Sequence, residues 1–252
     1  MSQGNFQANN PYASFGGVSV ADAPVDERAS FIRNTYTHLA MAVYGCAALC
    51  WAVFQTGLVE QFVPMLFANQ FSWLIVLGVF MAGSWAANSL AHSNTSVGLQ
   101  YAGLGLGILV WTFMLCPALF VAQHFTVELA GGTEINVIAA AGIVTLVMFG
   151  GLSAIAWTTK ADLSFLSWGL GIAGFAAMGL ILCSILFGFS LGIFFTVAMI
   201  VLACGYILYD TSNVIHHYQP GQHVAASLAL FMSIAHLFWY VLRFVMAFSS
   251  ND

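Results

Sequence analysis

The run Leu191–Ile215, LGIFFTVAMIVLACGYILYDTSNVI, has 25 residues and one charged side chain, Asp210. It is long enough to cross a hydrocarbon layer as a helix, which takes about 20 apolar residues. Six more runs of this kind surround it in sequence: Thr35–Phe54, Phe71–Leu90, Val97–Val121, Ile135–Trp157, Leu163–Phe187 and Val224–Phe248. The whole chain of 252 residues is 61% hydrophobic and 5% charged. A soluble domain carries about a quarter charged residues, so the bilayer must solvate most of this one. Lipid leaves helices or a closed barrel as the only options. Barrels alternate over segments of about ten residues, and these runs are continuous. The expected fold class is therefore an all-α membrane protein with seven transmembrane helices.

Residues 1–30 are polar and rich in Asn, Gln, Ser and Gly, and read as a disordered cytoplasmic tail ahead of a membrane domain at 31–252. They contain no apolar core, so the segment is not a signal peptide. Arg28 and Arg33 precede the first span and Lys160 lies between the fourth and fifth; Arg243 is alone on the other side. The positive-inside rule then puts the N-terminus in the cytoplasm and the C-terminus outside. Six spans with a re-entrant last segment is the alternative. Pro117 is expected to kink the third span. Gly103, Gly105, Gly107, Gly171 and Gly174 are expected to supply close-packing faces.

No basic patch offers a nucleic-acid interface. Cys46, Cys50, Cys116, Cys183 and Cys204 all fall in apolar runs, as small buried hydrophobes would. His216, His217 and His223 cluster after the sixth span. Without Cys or carboxylate companions they read as a solvated loop rather than a metal site. No metal or other cofactor is expected. Gly151-Leu152-Ser153-Ala154, with His236 as a base, could suggest an intramembrane serine protease, but the second glycine of such sites is absent. No phosphate loop or zinc-protease motif is present, and no enzyme activity is expected.

Two polar features remain inside the spans. Asp210 lies about 7 Å from the end of the sixth run, at about 1.5 Å per residue. A carboxylate there is costly and marks a functional group facing a cavity. The last span carries Ser233, His236, Tyr240 and Arg243 at i, i+3, i+7 and i+10, one helical face. Lipid would not tolerate that face, so it should point into the bundle, for an ion path or for interhelical hydrogen bonds. His236 is the member able to titrate near neutral pH.

Four stretches together resemble the Bax inhibitor family. They are Gly205-Tyr206-Ile207-Leu208-Tyr209-Asp210-Thr211-Ser212; Gly151–Ser164 with its Thr159-Lys160-Ala161-Asp162-Leu163-Ser164 exit; Ala226–Phe231 through Leu242-Arg243; and Arg33-Asn34-Thr35-Tyr36. The resemblance implies a last helix at the centre of the other six. It also implies a cation leak, chiefly of calcium, sensed by two aspartates on the sixth and seventh helices. Asp210 matches the first; the second would fall at Ser233, and the asparagine usual three residues later is His236. The second helix also lacks the arginine that pairs with the aspartates in some bacterial members. Two close carboxylates hold one proton between them, and calcium prefers several charged oxygen ligands. Asp210 with Ser233 is a poor calcium site by both criteria. Family members that lack the pair imply the other reading, a non-conducting regulator of a membrane-bound ATP-dependent protease. The expected location is a bacterial inner membrane, with the lipid bilayer as the one certain partner.

Overall fold

The computed structural model describes residues 19–69, 71–93, 96–128, 132, 134–159 and 161–249. Seven helices within it are long and apolar enough to cross a membrane. They are α1 (Val25–Gln55), α3 (Ser72–Ala91), α4 (Val97–Ala122), α5 (Val137–Thr159), α6 (Leu166–Phe187), α7 (Gly192–His216) and α8 (His223–Met246). The eighth, α2 (Leu58–Phe67), was not anticipated from the sequence. At ten residues it is too short to span. Gly57, at φ +67°, turns the chain from α1 into it. Val59, Val63 and Leu66 form its buried face. A two-stranded hairpin, β1 (Thr126–Glu128) with β2 (Glu134–Asn136), joins α4 to α5 and was also unanticipated.

The first helix begins at Val25, ten residues ahead of its expected start. Before it comes one turn of 3-10 helix at Val20–Asp22. Val20 is fully buried, and its N–H donates to the Tyr218 carbonyl at 2.8 Å. Order therefore extends well into the segment read as a tail; residues 1–18 lie outside the described residues. Lys160, one of the three charges behind the expected orientation, also lies outside them.

Helix α8 is unbroken over 24 residues, which favours seven spans over six with a re-entrant end. It is also the buried core. Of its most apolar window 72% is buried, against 6% for α6. It packs against α1, α3, α4, α5 and α7. Helix α6 instead leans on α7 and touches α3 only slightly, so the ring around the last helix is five spans with α6 outside it. The chain doubles back from α6 to α7 through Gly188 (φ +71°) and Gly192 (φ +66°). Helix α4 runs through Pro117 to Ala122 without ending there.

The glycines divide by face. A Cβ on Gly103 would stand 2.5 Å from the Ala91 nitrogen and 2.6 Å from the Ala87 carbonyl oxygen, so α3 and α4 touch backbone to backbone there. A Cβ on Gly107 would meet Leu228 of α8, and one on Gly174 would meet the Tyr206 hydroxyl. Gly105 and Gly171 face open space, contrary to expectation. Gly103→Ala must push two helices apart and is expected to destabilise the protein by about 1–3 kcal/mol. Gly105→Ala should be neutral or slightly stabilising. Thermal unfolding of both variants in detergent checks the contrast; equal melting temperatures would refute the backbone contact.

Candidate functional site

The polar face of α8 points into the bundle. Ser233, 7% exposed, donates its hydroxyl to Oδ2 of Asp210 on α7. Counted from their helix ends, the two positions are offset. Asp210 is six residues before the end of α7, about 9 Å, and Ser233 ten residues into α8, about 15 Å. The hydrogen bond makes them level, so α8 begins about one turn beyond the point where α7 ends. The next polar residues along the same face go elsewhere. The ring of His236 stands edge-on to Trp111 of α4 at 5.7 Å and stacks on Tyr240 at 5.5 Å. His236 is therefore not the partner of Asp210. Tyr240 is buried and meets Phe195 of α7 edge-on. Arg243 is exposed, at the far end of the helix.

Asp210 does not stand alone on α7. Tyr206, Tyr209, Asn213 and His217 recur with it at helical spacing, a stripe the sequence reading missed although its 3–4 residue period was visible. Tyr206 donates to the Leu170 carbonyl at 3.0 Å, which fixes α6 against α7. Tyr209, Asn213 and His217 open on a cleft of about 320 Å³ with His92, Ser164, Ser167, Tyr218 and Gln222. Burial pushes the Tyr218 phenol above its ordinary range, and the nearby Asp210 charge adds to the shift.

The motifs that carried the resemblance meet at this same end. Ser227 donates to the Thr35 carbonyl at 2.9 Å, joining α8 to α1. Trp157 Nε1 donates to the Tyr36 hydroxyl at 3.0 Å, joining α5 to α1. Ser212 Oγ accepts from the Leu163 N–H at 2.9 Å, holding the α5–α6 loop against α7. Residues scattered through the sequence thus clamp the end of the bundle where Asp210 lies.

Of the three histidines expected in a loop, His216 ends α7, His223 begins α8 and only His217 lies between them, and they point to different partners. His216 Nδ1 contacts the Ser212 carbonyl at 3.0 Å, the His223 ring lies 5.0 Å from that of His38, and His217 Nε2 is 3.0 Å from Asp162 Oδ1. Among the described residues no group of three such side chains could hold a metal ion. Ser153 is buried on α5, and no hydrogen bond joins it to His236. Cys46, Cys50 and Cys116 are buried, whereas Cys204 is partly exposed and Cys183 is exposed on α6. The last two depart from the uniform burial expected.

The Asp162–His217 pair makes a specific acid-range prediction. His217 beside it, aided by the Ser164 N–H, holds the Asp162 carboxyl down to about 2, below its ordinary 3.8. Whatever the pair adds to stability is therefore present above about pH 3.8 and lost as pH falls through about 2. Both side chains are about half exposed, at 49% and 47%, so solvent screening keeps the contribution small. Asp162→Asn is expected to leave the melting temperature at neutral pH almost unchanged and to flatten its decline in that acid window. A parallel pair of melting curves across pH would refute this.

Fold and site together define a polytopic α-helical membrane protein, built round a buried last helix with a single carboxylate on the helix beside it. The chain belongs to the Bax inhibitor family: the family model described as inhibitor of apoptosis-promoting Bax1 matches residues 28–250. Among similar proteins is Protein lifeguard 4 of Mus musculus, 29% identical over 239 residues, which are 92% of this chain and 90% of that one. An uncharacterised protein of Pseudomonas aeruginosa is 28% identical over 229 residues, 90% of this chain and 93% of its own. The Golgi anti-apoptotic protein of Vaccinia virus (strain Lister) is 29% identical over 244 residues, 90% of this chain and 89% of its own.

Proposed function

We propose that this protein is a slow, non-enzymatic cation leak in which Asp210 is the ion-binding group and Ser233 closes over it. One observation carries the reading. Among the described residues the only carboxylate deep in a span, Asp210, is hydrogen-bonded across the α7–α8 interface, near the 320 Å³ polar cleft at one end of the bundle. From the opposite end a second cavity, of about 690 Å³, runs between the helices to Tyr240. Between the two lie Asp210 on α7 and Ser233 and His236 on the face of α8 that points into the bundle. Such an arrangement suits a path held shut at its middle, since an intramembrane carboxylate marks an ion route more often than a structural bond.

With one charge and one hydroxyl the site should hold calcium weakly and discriminate poorly among cations. We place the protein in a bacterial cell membrane, as the existence of a Pseudomonas aeruginosa relative supports, with the N-terminus in the cytoplasm on the charge asymmetry of the sequence. The test is reconstitution in liposomes, with calcium and potassium flux followed across a pH series. Flux of either ion above protein-free liposomes supports the leak. No flux of either from folded protein would overturn it and leave regulation of a membrane partner, such as a protease, as the reading to pursue.

A further inference from the structure

The 690 Å³ cavity also carries an inference that does not depend on conduction. It lies at the end of the bundle where α8 finishes, among α3, α4, α6, α7 and α8. Its walls are mostly aliphatic and aromatic, with Trp73, Met114, Pro117 and Trp239 among them, and with hydroxyl groups from Ser184, Ser190, Thr196 and Tyr240. One lining residue is charged, Arg243. No acidic side chain lines the cavity. Among the described residues the one salt bridge, His217–Asp162, is at the opposite end of the bundle. The guanidinium of Arg243 hydrogen-bonds no protein group among them. The flanking helices α3 and α6 touch only slightly, and an acyl chain entering from the bilayer would pass between them.

These facts fit an amphiphile with an anionic head. A guanidinium presents a planar fork of donors that matches a phosphate. An apolar cavity beside it, at the depth of one leaflet, takes a hydrocarbon chain. Tryptophan and tyrosine at that level are the usual companions of a lipid headgroup. A snorkelling arginine alone would account for the charge, but not for the apolar walls behind it. We infer that this cavity binds an anionic phospholipid from the leaflet at the α8 C-terminal end, its phosphate on Arg243 and an acyl chain between α3 and α6.

The full-length protein in non-ionic detergent provides the test. Phosphatidylglycerol and phosphatidylcholine of identical chains are titrated separately, as is inorganic phosphate. Bound lipid is counted by native mass spectrometry and the melting temperature is followed. The expected result is a preference of about tenfold for phosphatidylglycerol, the effect of one charge-assisted contact, with a matching rise in melting temperature. Arg243→Gln should erase the preference, and Arg243→Lys should keep part of it. Ala118→Phe, which fills the apolar part of the cavity, should weaken binding of both lipids. Arg243 is exposed at a helix end, so its variants should fold; size-exclusion profiles check this. Equal binding of the two lipids by the native protein would overturn the proposal. So would a preference that survives Arg243→Gln, or stabilisation by inorganic phosphate equal to that by the lipid.

Discussion

Ser233→Asp is expected to give this protein a calcium flux that rises with pH, on the order of tenfold from about pH 5.5 to about pH 8 and more steeply than that of the native protein. Ser233 already hydrogen-bonds Asp210, so a carboxylate in its place arrives within contact distance of the first. Two unit charges about 4 Å apart repel by about 4 kcal/mol at an effective dielectric constant near 20. The pair will therefore share one proton in acid and lose it only as pH rises. While the proton is shared, it holds α7 and α8 together and occupies the oxygens a cation would need. Once it leaves, two charged groups are available to calcium, which binds best to several such oxygens. The sign follows: flux low in acid and high toward neutral and alkaline pH. The added repulsion should also make the variant less stable at high pH than at low pH, which melting curves will register. His236→Asn on the same background separates the sources of the effect. Its ring contacts Trp111 and Tyr240 rather than Asp210, so the new pH response should survive. A folded Ser233→Asp protein with neither added flux nor pH dependence would refute the role given to the α7–α8 contact.

Asp210→Asn is expected to remove most of the cation flux of the native protein while leaving its fold intact. The amide oxygen can still accept from Ser233, so the interhelical hydrogen bond and the packing around it persist. What disappears is the charge. A monovalent cation about 4 Å from a carboxylate gains about 4 kcal/mol at the same effective dielectric constant, and a divalent one more. Occupancy should then fall by two to three orders of magnitude at roughly 1.4 kcal/mol per tenfold. Proteoliposome flux of potassium and calcium, with size-exclusion and melting controls, measures this. Undiminished flux from a well-folded variant would show that ions bypass Asp210. The leak would then need another route.

The seven spans were legible because the bilayer imposes a one-dimensional rule. Every backbone polar group must be bonded within its own segment, so a run such as Leu191–Ile215 has one available conformation whatever its neighbours do. The same local rule made Asp210 conspicuous and put Ser233, His236, Tyr240 and Arg243 on one face of one helix. Local rules did not reach α2 or the hairpin at Thr126–Asn136. Those segments lie at the ends of spans, where water competes for the backbone and the pattern is weak. They also misjudged Gly105 and Gly171, because a small residue shows that close approach is allowed without showing from which side a neighbour comes.

Which polar groups meet was decided by the packing alone. The pairing of Asp210 with Ser233 depends on how far α8 extends past the end of α7, a shift of about one turn, or about 5 Å. The separation of His236 from Asp210 depends on Trp111, which approaches from α4, more than a hundred residues away in sequence. Helix α6 stays outside the ring because its surface is apolar on every side and lipid solvates it as well as a protein neighbour would. Sequence therefore determined which segments cross the bilayer and which of their residues are too polar to face it. The tertiary structure decided which of those residues touch, since helices in lipid are chosen as neighbours by shape and hydrogen bonding between distant segments, and neither has a period that a single strip of sequence can display.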